Sequence, residues 1–171
     1  RVFTWAQGMK IPFVDSQKLQ TIGRSLDAIL DRGIRLNYNK TVDQLCYGGF
    51  PSVNIPGMIN NPDITAAMAP AGASGETEWP NKTVDEILWD VNKAITEAWA
   101  ASEYDESAIA NHILIPPDRY AYITSTRIGT SGDKSILTYL LENNLAKNQG
   151  KDLQIYPCRW CNGAGTTSSQ R

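Results

Sequence analysis

The stretch IYPCRWCNGAG, residues 155–165, sets Cys158 and Cys161 in a C-x-x-C spacing followed by glycines. Two thiols at that spacing can form a redox couple, supply half of a tetrahedral zinc site, or simply sit in a turn. Zinc needs four ligands, and the only other soft or nitrogen donors are Cys46 and His112. The set would close only in an oligomer or with further sequence. A reactive C-x-x-C draws its thiolate from a helix N-terminus, and NGAGTTSS is a poor helix start. The stretch is therefore read as an inert, exposed or oligomer-facing tip spanning Cys158 to Gly165. A small thiol or zinc module built on Cys158 and Cys161 is the alternative.

The other reactive types are sparse. His112 is the only histidine, so every acid–base or nucleophile scheme that uses imidazole depends on it. Its place before ILIPP predicts a half-buried strand residue with a backbone partner. Glu103, Asp105 and Glu106 of SEYDES follow a helix end and read as a solvated turn rather than a carboxylate dyad. The glycines of YGGFPSVNIPG follow a helix and lack the lysine and hydroxyl of a phosphate loop. Trp79, Trp89, Trp99, Tyr104, Tyr120 and Tyr122 have no basic neighbours and read as core or interface anchors. No residue is assigned a catalytic, cofactor-binding or metal-binding role, and the chain is read as non-enzymatic.

Composition narrows the class further. A chain of 171 residues with 42% hydrophobic content is long and apolar enough for one sizeable core or two small ones. Its 16 basic and 18 acidic residues are dispersed, for a net charge of -2, so no basic stripe exists to read nucleic acid by phosphate contact. No apolar run approaches the roughly 18–20 residues that span a bilayer, and no signal-peptide order is visible, which predicts a soluble, unexported protein. An odd cysteine count points to a reducing compartment and leaves the sequons at Asn39 and Asn81 without weight. The start at Arg1 without methionine and the polar close TTSSQR predict a fragment lacking some arm or sheet elements.

RVFTW reads as a short strand and AQGMKIPF as a connector. From a cap at Asp15, Leu19, Ile22, Leu26, Ile29, Leu30, Ile34, Val42 and Leu45 recur mostly in steps of three or four, predicting one amphipathic helix to about Tyr47. Unbroken, it is about 50 Å long, with Gly23, Gly33 or residues 37–39 as places for close packing or a break. Paired glycines and three prolines end it, and TAAMAPAGASGETEWPNK reads as a flexible small-residue linker. T-x-x-E at Thr83 and Glu86 is a capping box opening a helix to about Ala101. NHILIPP then reads as a buried strand, PDRYAYITS as a helix begun by Pro117, TSGDK as a loop, SILTYLLENNLAKN as one helix and DLQIYP as a strand. The order predicts an α+β fold with a mixed or antiparallel sheet. NKTVDQLCY and NKTVDEILW share five residues, but the first closes a helix and the second opens one, so they are not read as a repeat.

A long helix closing on TVDQLCYGGFPSVNIPGMINNP, a small-residue linker, the capped helix TVDEILWDVNKAITEAW and then ANHILIPPDRYAYI form an ordered set. That order resembles the major capsid proteins of tailed bacteriophages, whose fold is shared with encapsulins, and within them a prophage-type subfamily. The resemblance implies a peripheral domain with a spine helix in residues 1–64 and an axial-type α+β domain in 65–171. It implies a structural subunit, without cofactor, that self-assembles into pentamers and hexamers of an icosahedral shell. The shell encloses double-stranded DNA without reading its sequence, with a scaffolding protein as a possible partner. Location would be the virion, preceded by the bacterial host cytoplasm during assembly. A non-viral compartment shell is a further alternative, since it shares the fold.

Overall fold

The structure, a computed structural model, describes residues 26–64, 67–129 and 134–164, together with isolated positions 4, 6 and 8. The chain divides into two compact units, Arg1–Asn61 and Pro62–Arg171. The strand expected at RVFTW lies outside the described residues except for Thr4, which belongs to no regular element. The connector that follows it, apart from Ala6 and Gly8, and the first turns expected of the long helix, with Asp15, Leu19, Ile22 and Gly23, lie outside them too.

The first unit is dominated by α1, Leu26–Gly48, a 23-residue helix of about 35 Å. It runs without a break across residues 37–39, where the Thr41 hydroxyl donates to the Asn37 carbonyl at 2.9 Å. Asp31 and Arg35 pair one turn apart at 2.8 Å. Gly33 marks neither close packing nor a break, because a Cβ there would meet nothing within 4 Å. Leu30, Ile34, Thr41, Leu45 and Gly48 form a half-buried stripe at steps of three, four and seven, and no described side chain of the helix is fully buried. Ile29, Leu36, Tyr38 and Val42 stand exposed.

The second unit is built around α2, Val84–Ala101. Thr83 accepts from the Glu86 amide while Glu86 accepts from the Thr83 amide, so two of the helix's first orphan donors are satisfied reciprocally. Ile87, Val91 and Ile95, spaced by four, bury one face of α2. They pack in one cluster with Ile115, Ile123, Ile136, Leu140, Leu153 and Ile155. Strand β1, His112–Ile115, is followed by α3, Pro117–Ser125, with proline in its first turn as the sequence predicts.

Three expectations are overturned here. Among the described residues the sheet is parallel rather than mixed or antiparallel. Its two strands there are β1 and β2 (Gln154–Pro157), paired with His112 opposite Gln154 and Ile115 opposite Pro157. Parallel pairing demands a long crossover, which the helices between the strands supply. Strand β1 is only partly buried, with Ile115 inside and His112 outside.

SILTYLLENNLAKN is not one helix but two, α4 (Ile136–Glu142) and α5 (Leu145–Asn148). Fully buried Asn144 ends the first by donating to the Leu140 and Leu141 carbonyls, each at 2.9 Å. It starts the second by accepting from the Lys147 amide at 2.8 Å. A short amide side chain that satisfies backbone groups on both sides outcompetes helix continuation.

The segment before α2 is not a flexible linker. The Lys82 ammonium donates to the Pro70 carbonyl and to Asp90 Oδ2, each at 2.6 Å, with only 1% of the Lys82 side chain and 8% of Asp90 exposed. Trp79 Nε1 donates to the same carboxylate oxygen at 3.1 Å. Further on, Glu86 Oε1 accepts from the Ala73 amide at 2.6 Å. A buried cation tolerates no unpaired state, so residues 70–82 are held across α2.

Removing one partner of this pair strands the other charge, so Lys82→Met is expected to cost about 3–5 kcal/mol in urea unfolding. The double variant Lys82→Met/Asp90→Leu is expected to recover most of that loss. The amides of Ala73 and Thr83 and the Thr83 hydroxyl hold the Glu86 carboxyl below the usual carboxylate range. A depressed folded-state value contributes stability that is complete above the ordinary glutamate range and lost as pH falls through and below it. The urea midpoint should therefore fall between neutral pH and about pH 3, with a shallower fall in Glu86→Gln.

Candidate functional site

Each residue singled out for chemistry has a definite place. Cys158 directly follows β2, and its amide donates to the Ile115 carbonyl at 2.8 Å, extending the sheet register by one residue. It is buried, at 7% exposure, and so is not part of an exposed tip. The reason is its pairing with the end of β1, which draws it against the core. Cys161 is half-buried at the end of a 3-10 turn over Arg159–Cys161, with its sulfur 4.0 Å from the Leu114 carbonyl oxygen. Arg159 and residues 162–164 are the exposed described positions after Cys158, with Gly163 at φ +68. Gly165 lies outside the described residues.

Burial, reinforced by the neighbouring Cys158 thiol, pushes the Cys161 thiol up to about 11. A nucleophilic or metal-binding cysteine needs the opposite shift. The third thiol, Cys46, is exposed on α1 in the other unit. Among the described residues no group of three or more His, Cys, Asp or Glu side chains is placed to hold a metal ion.

His112 is exposed rather than half-buried, and its partner is a side chain, Asn111 Oδ1, 2.8 Å from Nδ1. Its ring stacks on Tyr156 of the adjacent strand, centroids 6.3 Å apart. The outward face of β1 carries it, because Ile113 and Ile115 take the inward side. It meets neither thiol in a hydrogen bond among the described residues.

The acidic turn is structural. Asp105 accepts from the Ser107 amide at 2.8 Å, a bond that holds its carboxyl below the usual carboxylate range, with the Lys151 cation adding to the effect. Glu103 and Tyr104 adopt left-handed backbone angles, φ 57 and 63. The Trp99 indole N–H fixes the turn by donating to the Asp105 carbonyl at 2.8 Å, and Tyr104 packs edge-on against Trp99 at 5.4 Å. The aromatics divide between both expected roles. Trp79, Trp99, Tyr120 and Tyr122 border the core, whereas Tyr104 and Trp89, the latter 56% exposed beneath Lys93, face outward.

The most specific geometry lies in YGGFPSVNIPGMIN. Gly49, at φ +72, takes the left-handed cap of α1, and its amide donates to the Leu45 carbonyl at 3.0 Å. The chain then doubles back. Phe50 and Ile55 form an antiparallel bridge, and the Met58 and Ile59 amides donate to the Cys46 and Tyr47 carbonyls at 2.8 and 3.1 Å. Asn60 clamps the return, accepting from the Gly57 amide at 2.6 Å and donating to the Gly48 carbonyl at 3.0 Å. Gly49 and Gly57 meet backbone to backbone, where a Cβ on Gly57 would lie 2.3 Å from Gly49 N and 2.4 Å from Tyr47 O. The arrangement is a rigid clasp on the last carbonyls of the helix. It holds no group suited to phosphate or acid–base work.

In the second unit an open groove of about 240 Å³ runs between residues 67–70, α2 and β1, lined by Met68, Pro70, Trp79, Val91, Ala94 and Ile113. No sequence signal announced it, because it exists only once Lys82 ties the preceding segment down. A smaller hollow beside it holds the ion pair between Arg119 and Glu78. Grooves of this kind accept side chains more readily than they perform chemistry.

Gly57→Ala is expected to break the clasp, because the added carbon meets main-chain atoms that cannot yield; the cost should reach about 3 kcal/mol. Gly48→Ala, whose Cβ would meet nothing within 4 Å, is the matched control. Hydrogen exchange at the Met58 and Ile59 amides should accelerate in the first variant and not in the second.

Among curated proteins none matches the chain. A family model described as major capsid protein matches residues 1–171, the whole of the sequence. The chain belongs to the major capsid protein family and is a structural subunit of a capsid.

Proposed function

We propose that this capsid subunit is of the tailed-phage type, in its prophage branch, with the fold shared by encapsulins. It assembles into pentamers and hexamers of an icosahedral shell around double-stranded DNA. Residues 1–64 serve as part of a peripheral domain and 65–171 as an axial-type domain. Assembly proceeds in the host cytoplasm, with a scaffolding protein as partner, and ends in the virion.

The observation that carries this reading is the glycine clasp at the end of α1, followed by the capped helix α2, strand β1 and proline-started α3 in that order. A shell subunit needs rigid corners that survive repeated placement in non-identical environments, and two buried glycines in main-chain contact supply one. Exposed apolar side chains at Ile29, Leu36, Tyr38, Met58, Met68 and Trp89 offer area for subunit contacts. No described helix is long and apolar enough to cross a membrane.

The net charge of -2 fits an enclosing role. A shell that bound DNA tightly would resist its release, so contact with packaged DNA is weak and non-specific. Electron microscopy of the protein expressed alone and with a scaffolding partner should show rings or closed shells, and monomers under all conditions would sink the reading. Filter binding of unassembled protein to duplex DNA should show only a shallow salt dependence.

A further inference from the structure

We propose that Cys158 and Cys161 are a modification site: an oxidant of the small-disulfide class, such as oxidised glutathione, closes an intramolecular disulfide between them that clamps the end of the sheet. This goes beyond the shell reading and does not depend on it.

The geometry carries the proposal. The Cys161 amide donates to the Cys158 carbonyl at 3.1 Å, closing a turn of four residues. Such a turn holds its end Cα atoms within about 7 Å, the range that a disulfide spans. The neighbouring Cys158 thiol adds to the upward push that burial exerts on the Cys161 thiol. Both sit over the last rung of the sheet, where Ile115 pairs with Pro157. The Cys158 amide is bonded to the Ile115 carbonyl, and the Cys161 sulfur lies against the Leu114 carbonyl. A covalent link between them fixes the turn that follows β2, which the Cys158 amide already holds against the end of β1.

The half-buried Cys161 is the accessible member, whereas Cys158 is covered. As thiolate, Cys161 attacks one sulfur of the oxidant, whose S–S bond breaks and releases one thiolate. The Cys158 thiol then loses its proton and attacks the Cys161 sulfur of the mixed disulfide, displacing the second. Two electrons pass to the oxidant, and the two cysteine protons end on the released thiols. Burial keeps Cys161 protonated at neutral pH, so the pair stays reduced under casual exposure and reacts faster in mild alkali. That restraint is what distinguishes a structural latch from a catalytic couple.

The 171-residue chain, incubated with oxidised glutathione at about pH 9, is denatured and alkylated, and its thiols are counted by mass. In Cys46→Ser, which removes the exposed third thiol, alkylable thiols should fall from two to none, with the loss of two hydrogens and a peptide linked between 158 and 161. In the unaltered chain the same linked peptide should appear, while the exposed Cys46 takes up glutathione. The oxidised protein should unfold a few degrees higher, because a short loop is closed in the unfolded chain. Two alkylable thiols in Cys46→Ser after incubation would overturn the proposal, as would a lasting glutathione adduct on Cys161 or covalent dimers of that variant in place of the internal link.

Discussion

The second unit is organised by a buried cation. Lys82 places its ammonium where 1% of the side chain is exposed, and it survives there because Asp90 and the Pro70 carbonyl both accept hydrogen bonds from it. A lysine deprived of water is costly by several kcal/mol, and only close, hydrogen-bonded partners offset that. Everything between Pro70 and Thr83 is drawn into place as a result. Trp79 reaches the same carboxylate, and the loop passes near enough to α2 for Glu86 to accept from Ala73 as well as from its own cap. No buried side-chain nitrogen or oxygen among the described residues lacks a partner, so the network is closed rather than half-satisfied.

What could be read in advance was local. The capping box at Thr83 and Glu86, the proline start of α3, the glycine end of α1 and the strands at HILI and QIYP each depend on residues within a few positions of one another. What could not be read was tertiary. Small residues and prolines around 67–82 have the composition of a linker, and nothing in that composition reveals that Lys82 finds Asp90. Asn144 was hidden for a related reason: asparagine inside an apolar-periodic run looks like a tolerated polar position until its side chain is seen to bond both flanking helices. The parallel sense of the sheet depends on which strand is neighbour to which, and a single sequence does not carry that.

The candidate site shows the same division. The spacing of Cys158 and Cys161 correctly suggested proximity, but not that the first thiol would be buried by bonding to Ile115. His112 was placed on its strand, yet its face was misjudged, because HILI offers two apolar registers and the core takes Ile113 and Ile115. The pattern in YGGFPSVNIPGMIN signalled a turn by its glycines and prolines. Its double return onto the Cys46 and Tyr47 carbonyls, the feature that gives the unit a fixed corner, required coordinates. The shared NKTVD likewise adopts two settings, inside α1 in one copy and across a helix start in the other.

The parallel pairing of β1 with β2 also sets an order of events during synthesis. Partners such as His112 and Gln154 are separated by some 40 residues that include three helices, so the pair cannot form until that whole crossover has left the ribosome. Helix α2, with its own cap, and the segment fastened by Lys82 can form earlier. During that interval Ile113 and the apolar face of α2 wait without Ile155 and Leu153 against them. A nascent subunit thus presents adhesive surface for as long as its last strand is unmade. The time to complete that strand, rather than the stability of the finished fold, then sets how crowded a cell can be with unfinished copies before they stick to one another.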